Sequence, residues 1–380
     1  MPHRRPLHCI LPPHILESIA ERGSTGQQEI ARASITASEE IRSGRQVARA
    51  AAVAAAQPGV KERIVYTANF GSGLPGQEVR GEGDPPSGDA AADEAYDGSG
   101  DTYDLYQQVY ARDSIDGNNM RLDSTVHYRK GYDNAFWNGE QMVYGDGDED
   151  LPEDERLFNR FTKSLDVIGH ELTHGVTQFT ANLMYSNQPG ALNEHFSDVF
   201  GSLVRQWKLG QAASEADWLI GADLFTANVN GSGLRSMKEP GSAYDDPVIG
   251  KDPQPGHMDD YVSTTQDYGG VHINSGIPNR AFYVVATEIG GRAWEKAGLI
   301  WYKTLTGGRL SSQAEFQAAA DLTFAVAGEL YGANSLEQQA VGAGWSAVGI
   351  TVSGETPTPE PTPTPGGGCL AAFVTFGLLR

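Results

Sequence analysis

The stretch Leu165-Asp-Val-Ile-Gly-His170-Glu171-Leu-Thr-His174-Gly sets two imidazoles four residues apart, with a carboxylate between them. On an α-helix, positions i and i+4 lie on one face, one turn apart along the axis. Two histidines so placed can bind one Zn²⁺ at about 2.0–2.1 Å. Glu171 directly follows His170, close enough to address a metal-bound water but poorly placed to be a third ligand. Two ligands on one helix face with a carboxylate beside them are the parts of metal-assisted hydrolysis.

A catalytic zinc takes three protein ligands and keeps one position open. The third is expected on a different element, and Asn193-Glu194-His195-Phe196-Ser197-Asp198 supplies it at the head of the next predicted helix. Glu194 and Asp198 are again i and i+4. Glu194 is assigned as the zinc carboxylate. Asp198 is then free to receive the ring N–H of a ligand histidine, which fixes the tautomer and raises its basicity. Asn193 is placed with Asp198 just outside the ligand set.

Taken with Gly190-Ala-Leu-Asn-Glu-His-Phe-Ser-Asp-Val-Phe-Gly, the His170–His174 motif resembles the thermolysin-like zinc metallopeptidases. Asn134-Ala-Phe-Trp-Asn-Gly, Met142-Val-Tyr-Gly-Asp-Gly-Asp, Leu234-Arg-Ser-Met and Gly269-Gly-Val-His272-Ile-Asn-Ser-Gly-Ile-Pro extend the resemblance in family order, over about Val65 to Ile350. The leader segment Cys9-Ile-Leu-Pro-Pro-His-Ile-Leu is similar to the protealysin-like branch. The resemblance implies a two-lobed α+β fold with a β-rich N-terminal lobe, an α-helical C-terminal lobe and the zinc-binding helix at their junction. It implies a zinc endopeptidase acting on proteins or peptides, made as a latent precursor with its own pro-segment as intramolecular inhibitor. In that reading Glu171 is the base, and His272 and Tyr185 donate to the oxyanion. Asp267 orients His272, while Asn134, the Ala135 carbonyl and Arg235 hold the substrate backbone. Phe158, Phe161, Val167, Ile220, Leu224 and Leu234 would line a pocket for a bulky apolar residue after the cleaved bond. Family members bind structural calcium nearby through carboxylates. The matching positions here are Arg205, Asp217, Leu219 and Ala222, with Asp166 retained, so a double Ca²⁺ site is not expected. Tyr268 stands where the family usually has Asn.

The elements that must position these groups follow from local pattern. Glu62–Phe70, Thr102–Tyr110, Ser124–Arg129 and Gly139–Gly145 are rich in Val, Tyr, Ile and Thr between Gly/Asp/Asn clusters, and read as strands. Helices are expected over Glu29–Arg49, Ala191–Leu209, Pro278–Ile289, Arg292–Leu305, Gln313–Leu330 and Leu336–Val348. The division is a pro-segment at 1–55, a β-rich lobe at 56–190 that includes the zinc helix, and a helical lobe at 191–352. A Pro/Thr linker at 353–365 and a Gly-rich, apolar tail at 366–380 complete it.

The 380 residues carry 28 Lys+Arg against 49 Asp+Glu, a net charge of −21. Such a surface repels phosphate and argues against nucleic acid as a partner. Residues 1–50 reverse the balance, with seven Arg and five Glu, as a detachable segment docking on an anionic body or an ordinary surface arm. Only Cys9 and Cys369 are present, so no disulfide framework or cysteine zinc site lies between them. Cys9 closes the fourth zinc position, or the leader covers the cleft by packing alone. The start has no apolar stretch of a secretory signal. The tail resembles a bacterial sorting signal, pointing to a secreted or cell-surface protein with a membrane contact only there, or is a disordered end. The alternative function is a non-catalytic, surface-tethered binding protein on the same scaffold; retention of His170, Glu171, His174, Glu194 and His272 argues against it.

Overall fold

The computed structural model describes residues 8–44 and 59–354. The expected end of the first long helix, the linker from 355 onward and the tail lie outside these residues. The leader forms a short strand β1 (His8–Cys9), then helices α1 (Pro13–Arg22) and α2 (Thr25–Gly44). The first lobe contributes β2 (Arg63–Thr67), β3 (Gln77–Gly81), α3 (Ala90–Tyr110), β4 (Leu122–Val126), β5 (Ala135–Trp137) and β6 (Met142–Tyr144). Helix α4 (Leu165–Gln178) closes this half. The second holds α5 (Asn187–Leu209), β7 (Leu219–Ile220), β8 (Arg235–Ser236), α6 (Asp267–Asn274), α7 (Gly276–Ile289), α8 (Ala297–Thr306), α9 (Phe316–Tyr331) and α10 (Leu336–Ser346).

Six strands form one sheet in the order β1-β5-β6-β4-β2-β3. The β2–β4 and β4–β6 pairs are parallel and the rest antiparallel. One edge strand is therefore the leader's own: His8 pairs with Trp137 and Cys9 with Phe136.

Thr102–Tyr110 is not a strand but the second half of α3. Its Tyr and Val content suggested β structure, yet Tyr103, Tyr106 and Tyr110 fall at helical spacing and all are buried. Tyr106 and Tyr110 pack on Phe200, and Tyr110 stacks on Tyr302 at 4.6 Å between centroids. The helix starts where Asp89 accepts from the Ala91 and Ala92 amides, a cap worth about 1 kcal/mol. It ends at Ala111, in the left-handed region with φ of 53°. Helix α8 also begins later than Arg292, because residues 293–296 form a turn. Helix α5 begins four residues before Ala191, so Glu194 sits in its second turn and not at its head.

Two glycines let α4 and α5 touch backbone to backbone. A Cβ on Gly201 would lie 2.4 Å from the Asp166 carbonyl oxygen, and one on Gly169 would lie 3.1 Å from the Gly201 Cα. This close approach brings the faces bearing His170 and Glu194 together.

The α3 cap is itself anchored. His127 Nε2 lies 2.7 Å from Asp89 Oδ2 and its Nδ1 2.8 Å from Asp146 Oδ2. The hydrogen bond to Asp146 outweighs burial and, with Asp89, raises the His127 pKa to about 9. A pKa raised on folding stabilises fully below about 6.5, and that stability fades as pH rises through about 9. We expect His127→Gln to lower the urea midpoint of the metal-free protein at pH 6, with the deficit shrinking steadily by pH 9.5. A deficit independent of pH would remove the charged bridge as its cause.

Candidate active site

Helix α4 carries His170 and His174 on one buried face, and α5 carries Glu194 opposite them. The two Nε2 atoms are 3.1 Å apart. Glu194 Oε2 is 3.4 Å from His170 Nε2, and Glu194 Oε1 is 3.5 Å from His174 Nε2. Among the described residues, these three form the one group able to hold a metal. Ligands at about 2.05 Å on a tetrahedral ion sit about 3.3–3.4 Å from one another. The observed separations match that edge length.

The tautomers point the same way. His170 Nδ1 donates to Asp198 Oδ1 at 2.8 Å, and His174 Nδ1 donates to Asn193 Oδ1 at 2.8 Å. Asn193 Nδ2 in turn donates to the Leu183 carbonyl, which fixes its orientation. With Nδ1 of each ring held by these acceptors, both Nε2 atoms face one point, where the deprotonated rings would offer lone pairs to a cation. Glu194 Oε2 and Glu171 Oε1 are buried without a hydrogen-bond partner, both beside this same point. The donor set fits zinc.

Burial pushes the His174 pKa down to about 3, keeping it neutral. Burial also opposes a charge on His170, but Asp198 and Glu194 raise it to about 9. Zinc must therefore displace a proton there, and metal affinity falls with acidity. Glu194 is held well below the usual carboxylate range despite burial, by His272, His174 and His170. Burial pushes Glu171 up to about 8, and its Oε2 accepts from the Trp137 amide at 2.9 Å.

Behind the ligands lies a buried ion pair. Arg235, on β8, donates Nε to Asp198 Oδ2 at 2.9 Å and Nη2 to Asp198 Oδ1 at 2.8 Å. Asn279 Nδ2 adds a bond to Oδ2 at 2.8 Å. Removing one member would strand a buried charge, at a cost of about 3–5 kcal/mol. Sequence reasoning missed Asn279, which is linked to the site only through the packing of α7 on α5, although its block Gly276-Ile-Pro-Asn was visible. His195, next in sequence to Glu194, faces away and bridges Asn279 and Trp301.

His272 approaches from α6, where Asp267, Tyr268, Gly269 and Gly270 all have positive φ. A Cβ on Gly269 would lie 2.3 Å from Asn187 Oδ1, so that turn requires glycine. His272 Nδ1 donates to Asp267 Oδ1 at 2.6 Å, and its Nε2 is 3.2 Å from the Tyr185 hydroxyl. Burial opposes its charge, but Asp267 and Glu194 raise its pKa to about 9. The Tyr185 hydroxyl donates to Glu194 Oε1. Tyr268 lies over Tyr185, 5.7 Å between centroids.

The leader runs through this cleft. His272 Nε2 donates to the Cys9 carbonyl at 2.9 Å and Arg235 Nη1 to the Ile10 carbonyl at 3.1 Å. The Ile10 amide donates to the Ala135 carbonyl at 3.2 Å. Asn134 accepts from the Leu11 amide at 3.0 Å and donates to its carbonyl at 3.4 Å. The Cys9 side chain is not part of the ligand group and packs with Tyr128, Tyr132, Phe136 and Val143. Phe158, Phe161, Val167, Ile220, Leu224 and Leu234 are all buried in the same core as Ile10 and Leu11.

Residues 65–178 match the sequence profile of the thermolysin metallopeptidase catalytic domain, and residues 181–350 that of its alpha-helical domain. The chain is 46% identical over 351 residues to an extracellular metalloprotease of Pectobacterium carotovorum subsp. carotovorum, covering 92% of this chain and 99% of that protein. It is 51% identical over 295 residues to protease PrtS of Photorhabdus sp. (strain Az29), covering 77% of each. Its fold is similar to the solved precursor of protealysin, a metalloproteinase from Serratia proteamaculans. That likeness has a TM-score of 0.82 and 47% identity, over 90% of this chain and 100% of the other.

Asn193→Ala removes the stronger acceptor at His174 Nδ1, leaving Ser197 Oγ at 3.0 Å and the Asp198–Arg235 pair intact. Zinc affinity, measured by competition with a chelating dye, should fall about 10–100-fold with the fold retained by circular dichroism. Unchanged affinity would show that Asn193 does not orient the ligand.

Proposed function

The chain belongs to the thermolysin family of zinc metallopeptidases, and from that premise we propose how its residues cleave a peptide and how its leader keeps it latent. It is an endopeptidase with the thermolysin-like fold, made as a precursor, that hydrolyses internal bonds on the N-terminal side of bulky apolar residues. His170, His174 and Glu194 would hold zinc, which when bound supplies Lewis-acid polarisation of a water and of the scissile carbonyl. Glu171 takes the proton of the attacking water and delivers it to the leaving nitrogen. A pKa pushed up to about 8 before metal binding suits a base that must also release its proton.

His272 and Tyr185 donate to the carbonyl oxygen as negative charge develops on it, and loss of one such donor typically costs about 10²–10³ in turnover. Asp267 is a positioning residue that holds His272 through Nδ1. Asn134, the Ala135 carbonyl and Arg235 bind the substrate backbone as an added antiparallel strand. The observation that carries this reading is the mutual fit of two Nε2 lone pairs and one carboxylate at tetrahedral spacing, with the Glu171 carboxylate buried beside them. Phe158, Phe161, Val167, Ile220, Leu224 and Leu234 supply the apolar pocket for the residue after the cut.

The pro-segment, residues 1–55 in this division, acts as an intramolecular inhibitor. Its support is the strand laid along β5 and the helices that follow. Ser18 Oγ donates to the Val248 carbonyl at 2.7 Å, and His14 Nε2 is 2.9 Å from the Tyr244 hydroxyl. On the other lobe, the Asp133 amide donates to Ser34 Oγ at 2.9 Å, and Ser38 Oγ lies 3.2 Å from the Tyr132 hydroxyl. The segment thus straps both lobes, 56–190 and 191–352, across the cleft. A relative named as an extracellular metalloprotease supports a secreted protein; among the described residues no helix is long and apolar enough to cross a membrane.

The thermolysin-type double calcium site is absent in this proposal. Arg205 Nη1 lies 2.9 Å from Asp217 and Nη2 3.6 Å from Asp223, so a fixed cation already stands among these carboxylates. Asp166 accepts from Ser164 Oγ and from the Gly221 amide. Calorimetric titration with millimolar Ca²⁺ should give no tight binding and no rise in Tm; a rise of several degrees would overturn this.

Glu171→Gln should retain stoichiometric zinc yet lose casein hydrolysis by about 10²–10⁴-fold. A chelator should abolish wild-type hydrolysis, and added zinc should restore it. Near-wild-type turnover in the variant would exclude Glu171 as the base.

A further inference from the structure

We propose that the Cys9–Ile10 peptide bond is held in the register of a substrate and is cut by the protein's own active site. The inference rests on the reading of the leader as an inhibitor, and adds which bond it presents. Three successive carbonyls of the leader each meet a donor from a different element. The Cys9 carbonyl takes His272 Nε2 at 2.9 Å, the Ile10 carbonyl takes Arg235 at 3.1 Å, and the Leu11 carbonyl takes Asn134 at 3.4 Å. Of the three donors, His272 Nε2 is the one beside the ligand group, 3.5 Å from Glu194 Oε2. The Cys9 carbonyl is therefore the one held beside the ligand group; Glu171 Oε1 is buried without a hydrogen-bond partner.

The remaining contacts set direction as well as register. β1 runs antiparallel to β5, and the Ile10 and Leu11 amides bind Ala135 and Asn134 in turn. The Cys9 side chain belongs to the buried cluster of Tyr128, Tyr132 and Phe136. What the leader presents there is backbone, as a substrate would. Ile10, the residue after the presented bond, is fully buried and apolar.

Hydrolysis at this bond adds one water across it. The Cys9 carbonyl carbon gains a hydroxyl and becomes a carboxylate, the C–N bond breaks, and the Ile10 nitrogen takes a proton through Glu171. The product C-terminal to the cut does not leave. Ile10, Leu11, Ile15, Leu16 and Ile19 are buried in the main core, so residues 10–44 remain docked over the cleft. Residues up to Cys9 keep the two strand pairs of β1, the His272 bond to the Cys9 carbonyl and the packing of the Cys9 side chain. The nicked protein is still covered, and full activity needs a later cut beyond α2.

The test starts from full-length precursor freed of metal. Zinc is added, and intact mass, N-terminal sequence and casein hydrolysis are followed together. A new N-terminus at Ile10 should appear first, at a rate independent of protein concentration, ahead of casein hydrolysis. Glu171→Gln with zinc and wild type without zinc should both stay whole. A readout independent of turnover is amide exchange in the metal-free precursor: the Ile10 and Leu11 amides should exchange far more slowly than in a free peptide of residues 5–14. Free-peptide exchange at both, or an intact Cys9–Ile10 bond after casein hydrolysis has begun, overturns the proposal. A precursor that hydrolyses casein fully before any cut would instead refute the leader's inhibitory role. Latency with cleavage only elsewhere would refute the register alone.

Discussion

The structure depends on one electrostatic constraint, the burial of two imidazole lone pairs and a carboxylate at a single point. Each group is buried away from water, and Glu194 Oε2 is left without a hydrogen-bond partner. A cation at that point would offset the cost of burying them. Asp198 and Asn193 fix the two rings, and Asp198 is itself fixed by Arg235 and Asn279. The charge of Asp198 is kept despite burial, well below the ordinary carboxylate range, because Arg235 and His170 both face it. Each layer of polar groups is thus satisfied by the one behind it, and the chain of bonds ends at a positive charge that also reaches the cleft.

The backbone makes this layering possible. The contact of α4 with α5 relies on Gly169 and Gly201, where any side chain would separate the helices. The left-handed turn at Asp267–Gly270 aims His272 back at the same point from a third helix. Helix α3 supports α4 through Tyr106, whose hydroxyl lies 2.8 Å from Thr173 Oγ1. The sheet contributes β5, whose free edge is the natural place for an extended peptide, and which the leader occupies in the precursor.

Most of the chemistry could be read from the order of residues. His170, Glu171 and His174 announce themselves by spacing, and Glu194 with Asp198 by repeating that spacing on a second helix. The strand reading of Thr102–Tyr110 failed because β-propensity reports a fit to a half-buried surface, whereas a tyrosine stripe at helical spacing meets the same need. The partner of each ring nitrogen could not be read either. Asp198 serves His170 and Asn193 serves His174, which follows from how two helices are rotated against each other.

Spacing within one helix is a local property, so the sequence alone set out His170, Glu171 and His174 as candidates for metal-assisted hydrolysis and the expectation that a further element must complete the site. Tertiary structure decided everything that joins distant residues. The contacts Leu11–Asn134, Ile10–Arg235 and Cys9–His272 span 123, 225 and 263 positions, and no periodicity reaches so far. That the leader offers its backbone to these donors, with the Cys9 side chain in an aromatic cluster, is set by the strand register on β5. A shift of one residue would reverse the two faces.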